Sequence, residues 1–254
     1  MNGAVLKNSR AERGYKRRMA KCPFATWDEI TGPSGDYIGG PFKIVHHTTE
    51  GNDYPSARAA FAANRSDPHF TVEGATVFQH VDTAKAARAL RNPPGGVETN
   101  RDSAIQIEVV GFAGRDKNRA TLQTVARLCR WIENEHGVPQ VWPNGFVRWS
   151  HSGADPGGHN RDAMNWDRKG GHYGHSQVPE NSHWDPGYTL AETVVVTPDA
   201  GKADALLAQV HLLTGSPASP PAASATSSNL HATVQQVVEG IQAALARPGT
   251  SRCL

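Results

Sequence analysis

The chain has 254 residues, a formal net charge of +2 and 38% hydrophobic residues. That apolar content is enough to build a core, so wholesale disorder is excluded, and no stretch reaches the roughly 18 apolar residues that a membrane-spanning helix needs. The 3 cysteines are too few for a disulfide framework and indicate a reducing compartment during synthesis.

Positive charge is concentrated at the start of the sequence. Residues 1–21 hold seven Lys or Arg against Glu12, and blocks of like charge are usually solvated. We interpret 1–21 as a basic, flexible leader, with binding to nucleic acid or to an anionic wall polymer as the alternative. The leader lacks the apolar segment of a secretory signal peptide, so we expect cytoplasmic synthesis, starting at Met1 or Met19.

Residues 22–195 alternate strand and helix patterns and are expected to form one domain. The region 142–188 is rich in turn-forming residues and is predicted to be a long, loop-like segment that carries function. The fold class predicted is α/β, with a central mixed sheet flanked by helices. Before that loop-like region, the elements predicted in chain order are a strand at 42–48, a helix at 56–64 after Pro55, a hairpin of 69–72 and 76–81, a strand at 104–110 and a helix at 119–136.

Three segments follow the domain. Residues 196–215 are predicted to be a connecting segment that is partly helical, and residues 216–228 to be a Pro/Ala/Ser-rich linker. Apolar residues at three- and four-residue spacing predict an amphipathic helix at 229–247. That helix either docks back on the domain or mediates self-association, and the sequence does not decide between them.

The first candidate site residues are two adjacent histidines in the segment Ile-Val-His-His-Thr, 44–48. Side chains alternate along a strand, so only one of His46 and His47 can face a given site. The alternative is that one of them packs in the core and the other is exposed.

Glu108 lies inside the apolar strand Ala-Ile-Gln-Ile-Glu-Val-Val. An unpaired carboxylate there would cost several kcal/mol, or would take up a proton. A metal, another cation or an opening to water has to compensate. The alternative is a strand end that points into solvent.

The third candidate block is Gly-His-Ser-Gln-Val-Pro-Glu-Asn-Ser-His-Trp-Asp-Pro-Gly, 174–187. It offers His175, His183 and Asp185, and two imidazoles with one carboxylate are an ordinary ligand set for zinc. The alternative is a polar loop without a ligand.

In their order and spacing, the three blocks resemble those of the type 2 N-acetylmuramoyl-L-alanine amidases, a family that includes phage amidases and peptidoglycan recognition proteins. The resemblance implies Zn²⁺ held by His46, His175 and Asp185, where His46 is the first histidine after the apolar pair. It also implies that Glu108 is the catalytic carboxylate. Other histidines close to these blocks are competing candidates: His47, His151, His159 and His172.

Two positions depart from the family pattern. Many members have Lys where this chain has His183, and the resemblance implies that His183 takes over the stabilisation of developing negative charge. Many members have Tyr where this chain has Pro68. We interpret Cys129, on the apolar stripe of its helix, as a small buried hydrophobe.

The function implied by the resemblance is hydrolysis of the amide bond between N-acetylmuramic acid and L-alanine in bacterial peptidoglycan, as in a phage endolysin that acts on the cell wall after release. Peptidoglycan is then the partner, without membrane insertion, and nucleic-acid binding is a lesser alternative. Two other functions stay open. One is a module that binds muropeptide without cleaving it, and the other is a cytoplasmic enzyme of cell-wall recycling.

Overall fold

The structure of the protein is a computed structural model that describes residues 20–32, 35–148, 155 and 157–197. The predicted linker at 216–228 and the predicted helix at 229–247 lie outside these residues, as do all but the last two residues of the basic leader. No helix among the described residues has the length and apolar character needed to cross a membrane.

The described elements form one mixed sheet of six strands with four helices. The spatial order of the strands is β1-β4-β3-β5-β2-β6, and only the hairpin of β3 with β4 is antiparallel. The α/β class predicted from the sequence is therefore confirmed. In chain order the elements are β1 (Thr26–Trp27), β2 (Lys43–Thr48), α1 (Tyr54–Asn64), β3 (Phe70–Glu73), β4 (Thr76–Gln79), β5 (Ala104–Val109), α2 (Arg119–His136), α3 (Ala163–Arg168), β6 (Gly171–Gly174) and α4 (Leu190–Val196).

Local sequence signals account for the ends of the two long helices. Asp53 caps α1 by accepting a hydrogen bond from the Ser56 amide at 2.8 Å, as Asp does at many helix starts. Asn118 accepts a hydrogen bond from the Ala120 amide at the start of α2. Gly137 ends α2 in the left-handed conformation, at φ 67°, which glycine adopts without steric cost.

The core lies between one face of the sheet and α2. Along β5, Ile105, Ile107 and Val109 are fully buried and belong to this core, because alternate residues of a strand share a face. The opposite face of β5 therefore carries Gln106 and Glu108. Helix α2 contributes five side chains to the same core: Leu122, Val125, Leu128, Cys129 and Ile132.

The region 142–188 is more regular than its composition predicts. It contains α3 and also β6, whose sequence Gly-His-Tyr-Gly has no strand-like run of β-branched residues. β6 pairs with β2 through its backbone, and a Cβ on Gly171 would lie 2.6 Å from the carbonyl oxygen of Val141. Glycine is needed there because two backbone segments approach closely, which single-residue propensity does not reveal.

Removal of core volume from α2 should destabilise the domain. Leu128 is fully buried, so Leu128→Ala should lower the free energy of unfolding by about 2–5 kcal/mol, through lost transfer energy and the remaining cavity. Urea denaturation followed by circular dichroism measures the change. The control is Gln123→Ala, on the exposed side of the same helix, and an equal loss in both variants would contradict this account of the core.

Candidate active site

Two parallel strands provide the centre of the site. β2 and β5 pair in a register that places His47 directly opposite Glu108, so both side chains leave the sheet on the face away from α2. The Nδ1 atom of His47 lies 3.9 Å from Oε1 of Glu108. Both residues are buried.

The loop after β6 brings two more polar side chains over this face. Nδ1 of His175 lies 3.0 Å from Nδ1 of His47 and 3.2 Å from Oδ1 of Asp185. Asp185 also reaches His47, with 3.6 Å between Oδ2 and Nδ1. One ligand atom from each of these three buried residues falls within 4.8 Å of those of the other two.

Asn181 determines which nitrogen of His175 carries the proton. The side-chain NH₂ of Asn181 donates to the carbonyls of Arg91 and Pro179, and its Oδ1 accepts from the Arg91 amide. The amide orientation is thereby fixed, so Oδ1 can only accept from Nε2 of His175, 3.0 Å away. Nδ1 of His175, which faces Asp185 and His47, is thereby left as the nitrogen that can present a lone pair.

Gln106 lies on the same face of the sheet as His47 and Glu108. Its NH₂ group is directed to the Asn100 side chain at 3.0 Å, which leaves Oε1 as an acceptor. Among the described residues, Oε1 of Gln106 and Nε2 of His47 are both buried without a hydrogen-bond partner. A hydrogen bond from Nε2–H of His47 to Oε1 of Gln106 would satisfy both groups and leave a lone pair on Nδ1.

The donor set therefore fits a cation. The lone pairs of His47 and His175 and the carboxylate of Asp185 converge, and acceptors at 3.0–3.6 Å repel one another unless a proton or a cation lies between them. The backbone amide of Thr48 also donates to Oδ2 of Asp185 at 3.3 Å. Two imidazoles and one carboxylate are the ligand set of many catalytic zinc sites, which keep a fourth position open.

The pKa values follow from burial and neighbouring charge. Burial, together with the nearby His175, lowers the pKa of His47 to about 3 and keeps the imidazole neutral. Burial acts to raise the pKa of Asp185, but the charge and hydrogen bond of His175 outweigh it and the pKa ends well below its usual range. Burial, followed by the repulsion of Asp185 and Glu50, raises the pKa of Glu108 well above its ordinary value.

The structure does not bring His46 together with His175 and Asp185, so the predicted grouping of these three residues is wrong on that point. His46 leaves β2 on the opposite face, where its Nε2 lies 2.9 Å from Nδ1 of His172. Its ring also stacks on Trp142, with 5.2 Å between the ring centroids. The physical reason is the strand alternation, because the register with Glu108 selects His47.

His183 lies at the mouth of the site. Its side chain is 54% exposed, with Nδ1 3.6 Å from Oδ1 of Asp185. Its ring stacks on that of His175 at a centroid distance of 4.1 Å. Hydrogen bonding to Asp185 is the largest cause that raises the pKa of His183 above its ordinary value.

The other candidate histidines fall elsewhere. His159 lies beside Asp155, with 3.1 Å between Nε2 and Oδ1, and His172 lies on the α2 side of the sheet. His151 is outside the described residues. Sequence reasoning missed Asn181 and Gln106. Gln106 has a weak signal, since it stands two residues before Glu108 on the same strand face, whereas nothing in the sequence marks Asn181.

Residues 41–188 match a protein family described as N-acetylmuramoyl-L-alanine amidase. The match covers more than half of the 254 residues. The chain belongs to this family. The family supports hydrolysis of the peptidoglycan amide bond, and the resemblance seen in the sequence is confirmed. No curated protein matches the chain.

Several solved structures are similar to the chain in fold. The N-acetylmuramoyl-L-alanine amidase LysC from Clostridium intestinale URNW is 15% identical over 68% of this chain and 96% of its own, with a TM-score of 0.44. A selenomethionine derivative of AmpD is 16% identical over 70% and 96%, also at 0.44. The catalytic domain of XlyA is 23% identical over 45% and 78%, at 0.34.

Loss of the group that orients His175 should weaken divalent cation binding. Asn181→Ala removes the acceptor on Nε2, so we expect the zinc affinity to fall about 10–100-fold, as it does when a partner that orients a ligand is lost. Competition with a chromogenic chelator measures the affinity. Asn144→Ala is the control, because Asn144 is equally buried but bonds to Gln177 and Asn165, and an equal fall in both variants would contradict the orienting role.

Proposed function

We propose that the chain is a zinc-dependent N-acetylmuramoyl-L-alanine amidase that cleaves the bond between the lactyl group of N-acetylmuramic acid and L-alanine. The observation that carries the proposal is the convergence of three buried acceptors from His47, His175 and Asp185 beside the carboxylate of Glu108. In this proposal the ligands are His47, His175 and Asp185, and His47 replaces His46 of the sequence-based prediction.

Zinc held by these residues would lower the pKa of a water molecule from its bulk value towards about 7 and would polarise a carbonyl oxygen. Asn181 keeps the ring of His175 in the tautomer that directs a lone pair inward. Thr48 holds Asp185 through its backbone amide. These contacts fix the ligand side chains before any cation arrives, which reduces the cost of ordering them.

Glu108 is the general base and acid in this proposal. Its Oε2 is buried and has no hydrogen-bond partner among the described residues, so a water molecule or a substrate atom that enters the site would satisfy it. It accepts the proton of the attacking water and passes it to the nitrogen of the leaving L-alanine. A raised pKa suits this exchange, because a group that both takes and returns a proton works best when its pKa is near the working pH.

His183 stabilises the oxygen of the scissile amide as negative charge develops. It is the most exposed of the polar groups around Asp185, which suits a side chain that meets the substrate. As an N–H donor it takes the place of the Lys that many family members carry. The fixed stacking on His175 keeps the donor close to the reacting bond.

The biological role we propose is cell-wall lysis of the endolysin type. Digestion of intact sacculi supports that role, whereas activity on soluble muropeptides alone would indicate a recycling enzyme. Binding of peptidoglycan without cleavage would indicate a recognition module. Mass spectrometry of the digest separates these outcomes, because cleavage at the proposed bond leaves a free lactyl carboxylate and a new N-terminal L-alanine.

Two variants test the proposed chemistry. Glu108→Gln should lower turnover by about 10²–10⁴ and retain zinc, because it removes proton transfer and not a ligand. His47→Ala should lose both turnover and one zinc equivalent. The control is His136→Ala, since His136 contacts Thr83 at the other end of the sheet. Full turnover in either site variant, or loss of turnover in the control, would contradict the assignment.

Replacement of His183 tests its role as a donor. His183→Ala should lower turnover about 10²–10³-fold with zinc content unchanged, because an oxyanion donor is lost. His183→Lys restores a donor and should recover most of that loss. Turnover on a synthetic muropeptide, with zinc analysis of each variant, gives both readouts. Zinc loss in His183→Ala would instead identify His183 as a ligand.

A further inference from the structure

A second group of metal-ligand side chains lies on the opposite face of the sheet. It consists of His46 on β2, His172 on β6 and Cys129 on α2, all fully buried in the core. One ligand atom from each residue lies within 4.8 Å of those of the other two. None of these residues takes part in the proposed active site, which lies on the other side of β2.

A hydrogen-bonded carboxylate fixes the orientation of His172. Glu133 lies 3.0 Å from Nε2 of His172 and is itself held by Arg130 and by the NH₂ group of Gln140. Glu133 is therefore the acceptor, Nε2 of His172 carries the proton, and Nδ1 presents a lone pair to the cluster. A carboxylate behind the outer nitrogen of a histidine is the usual second layer around protein-bound zinc.

His46 completes the inner layer beside this lone pair. Its Nε2 lies 2.9 Å from Nδ1 of His172, and its Nδ1 lies 3.5 Å from the hydroxyl of Tyr188. Without a cation, Nε2 of His46 donates to His172 and Nδ1 accepts from Tyr188. With a cation, the His46 proton moves to Nδ1, where the hydroxyl oxygen of Tyr188 is the acceptor.

Cys129 distinguishes a metal site from a chain of hydrogen bonds. The chain from Tyr188 through His46 and His172 to Glu133 needs no sulfur, yet the Cys129 thiol lies within reach of both imidazoles. A thiolate with two imidazoles favours zinc and other borderline or soft divalent ions. When such an ion binds, the S–H bond of Cys129 breaks, its proton leaves to solvent and a metal–sulfur bond forms without oxidation.

We propose that His46, His172 and Cys129 form a second zinc site, which joins β2, β6 and α2 from the core side. The site is independent of the catalytic cation, because the two groups share no residue and face away from each other. Since the second group is fully buried, the ion enters as the chain folds. The site has a structural role in this proposal, whereas hydrolysis takes place at the first.

Cobalt tests the second site without any reliance on activity. The full chain is produced in medium with Co²⁺ in place of zinc, and its near-ultraviolet absorption is recorded. A thiolate-to-cobalt charge-transfer band is expected in the wild type, because His47, His175 and Asp185 contain no sulfur. The band should persist in the double variant C22S/C253S, in which Cys129 is the remaining cysteine, and disappear in Cys129→Ser. Absence of the band in the wild type, or its persistence in Cys129→Ser, would overturn the proposal.

Metal content separates this proposal from the proposed function. Wild-type protein should hold about two zinc ions per chain, one at each of the two groups of side chains, and Cys129→Ser and His47→Ala should each lose one. If the Cys129→Ser variant still bound two zinc ions, the second site alone would be contradicted. If the His47→Ala variant still bound two, the assignment of His47 as a ligand in the candidate active site alone would be contradicted. Circular dichroism shows whether each variant is folded. If Cys129→Ser fails to fold, the presence or absence of the thiolate-to-cobalt band in the wild type still tests the second site.

Discussion

The parallel register of β2 with β5 is the constraint on which the site depends. It places His47 opposite Glu108, and a shift of one residue would exchange every side chain between the two faces of the sheet. The register is well determined because Ile105, Ile107 and Val109 have to face α2. Burial of apolar side chains on one face therefore fixes the polar pair on the other.

The loop from β6 to α4 supplies the other half of the site, and close packing sets its course. A Cβ on Gly174 would lie 2.5 Å from Cγ1 of Val147, and one on Gly187 would lie 2.6 Å from the Ala113 carbonyl oxygen. Gly187 also has φ 54°, a conformation that glycine adopts readily. Between Gly174 and Gly187, the side chains of Asn181 and Asp185 face the site, and the close packing of the loop holds them there.

Much of this could be predicted from the sequence. The strand at Lys43–Thr48, the hairpin and α2 follow from apolar periodicity and from turn or cap residues. Glu108 was identifiable because a carboxylate inside an apolar strand needs compensation. The sequence alone could not decide which of His46 and His47 faces Glu108. That choice depends on the pairing register of two strands more than fifty residues apart, and neither strand shows that register by itself.

Strand β6 could not be predicted from the sequence, for a related reason. Its four residues gain stability from backbone bonds to β2, which lies more than a hundred residues earlier in the chain, and from burial of Tyr173 against Trp166. The buried histidine of the same strand, His172, faces the core, where an imidazole would be costly without partners. Glu133 and His46 provide those partners, and each of them comes from a different element.

The two adjacent histidines of β2 thus have separate tasks that follow from one strand. His47 faces the polar groups at the open side of the sheet, and His46 faces α2 and Cys129. A cation on the core side would join β2, β6 and α2 at the level of His47 and Glu108, and so restrain the strand from which His47 projects. Ligand side chains on a rigid element lose less freedom when a cation or substrate binds. The core cluster lies directly behind the candidate active site. Contacts of His46 on the core face of β2 therefore hold the strand in place, and this fixes the position of His47 on the other face.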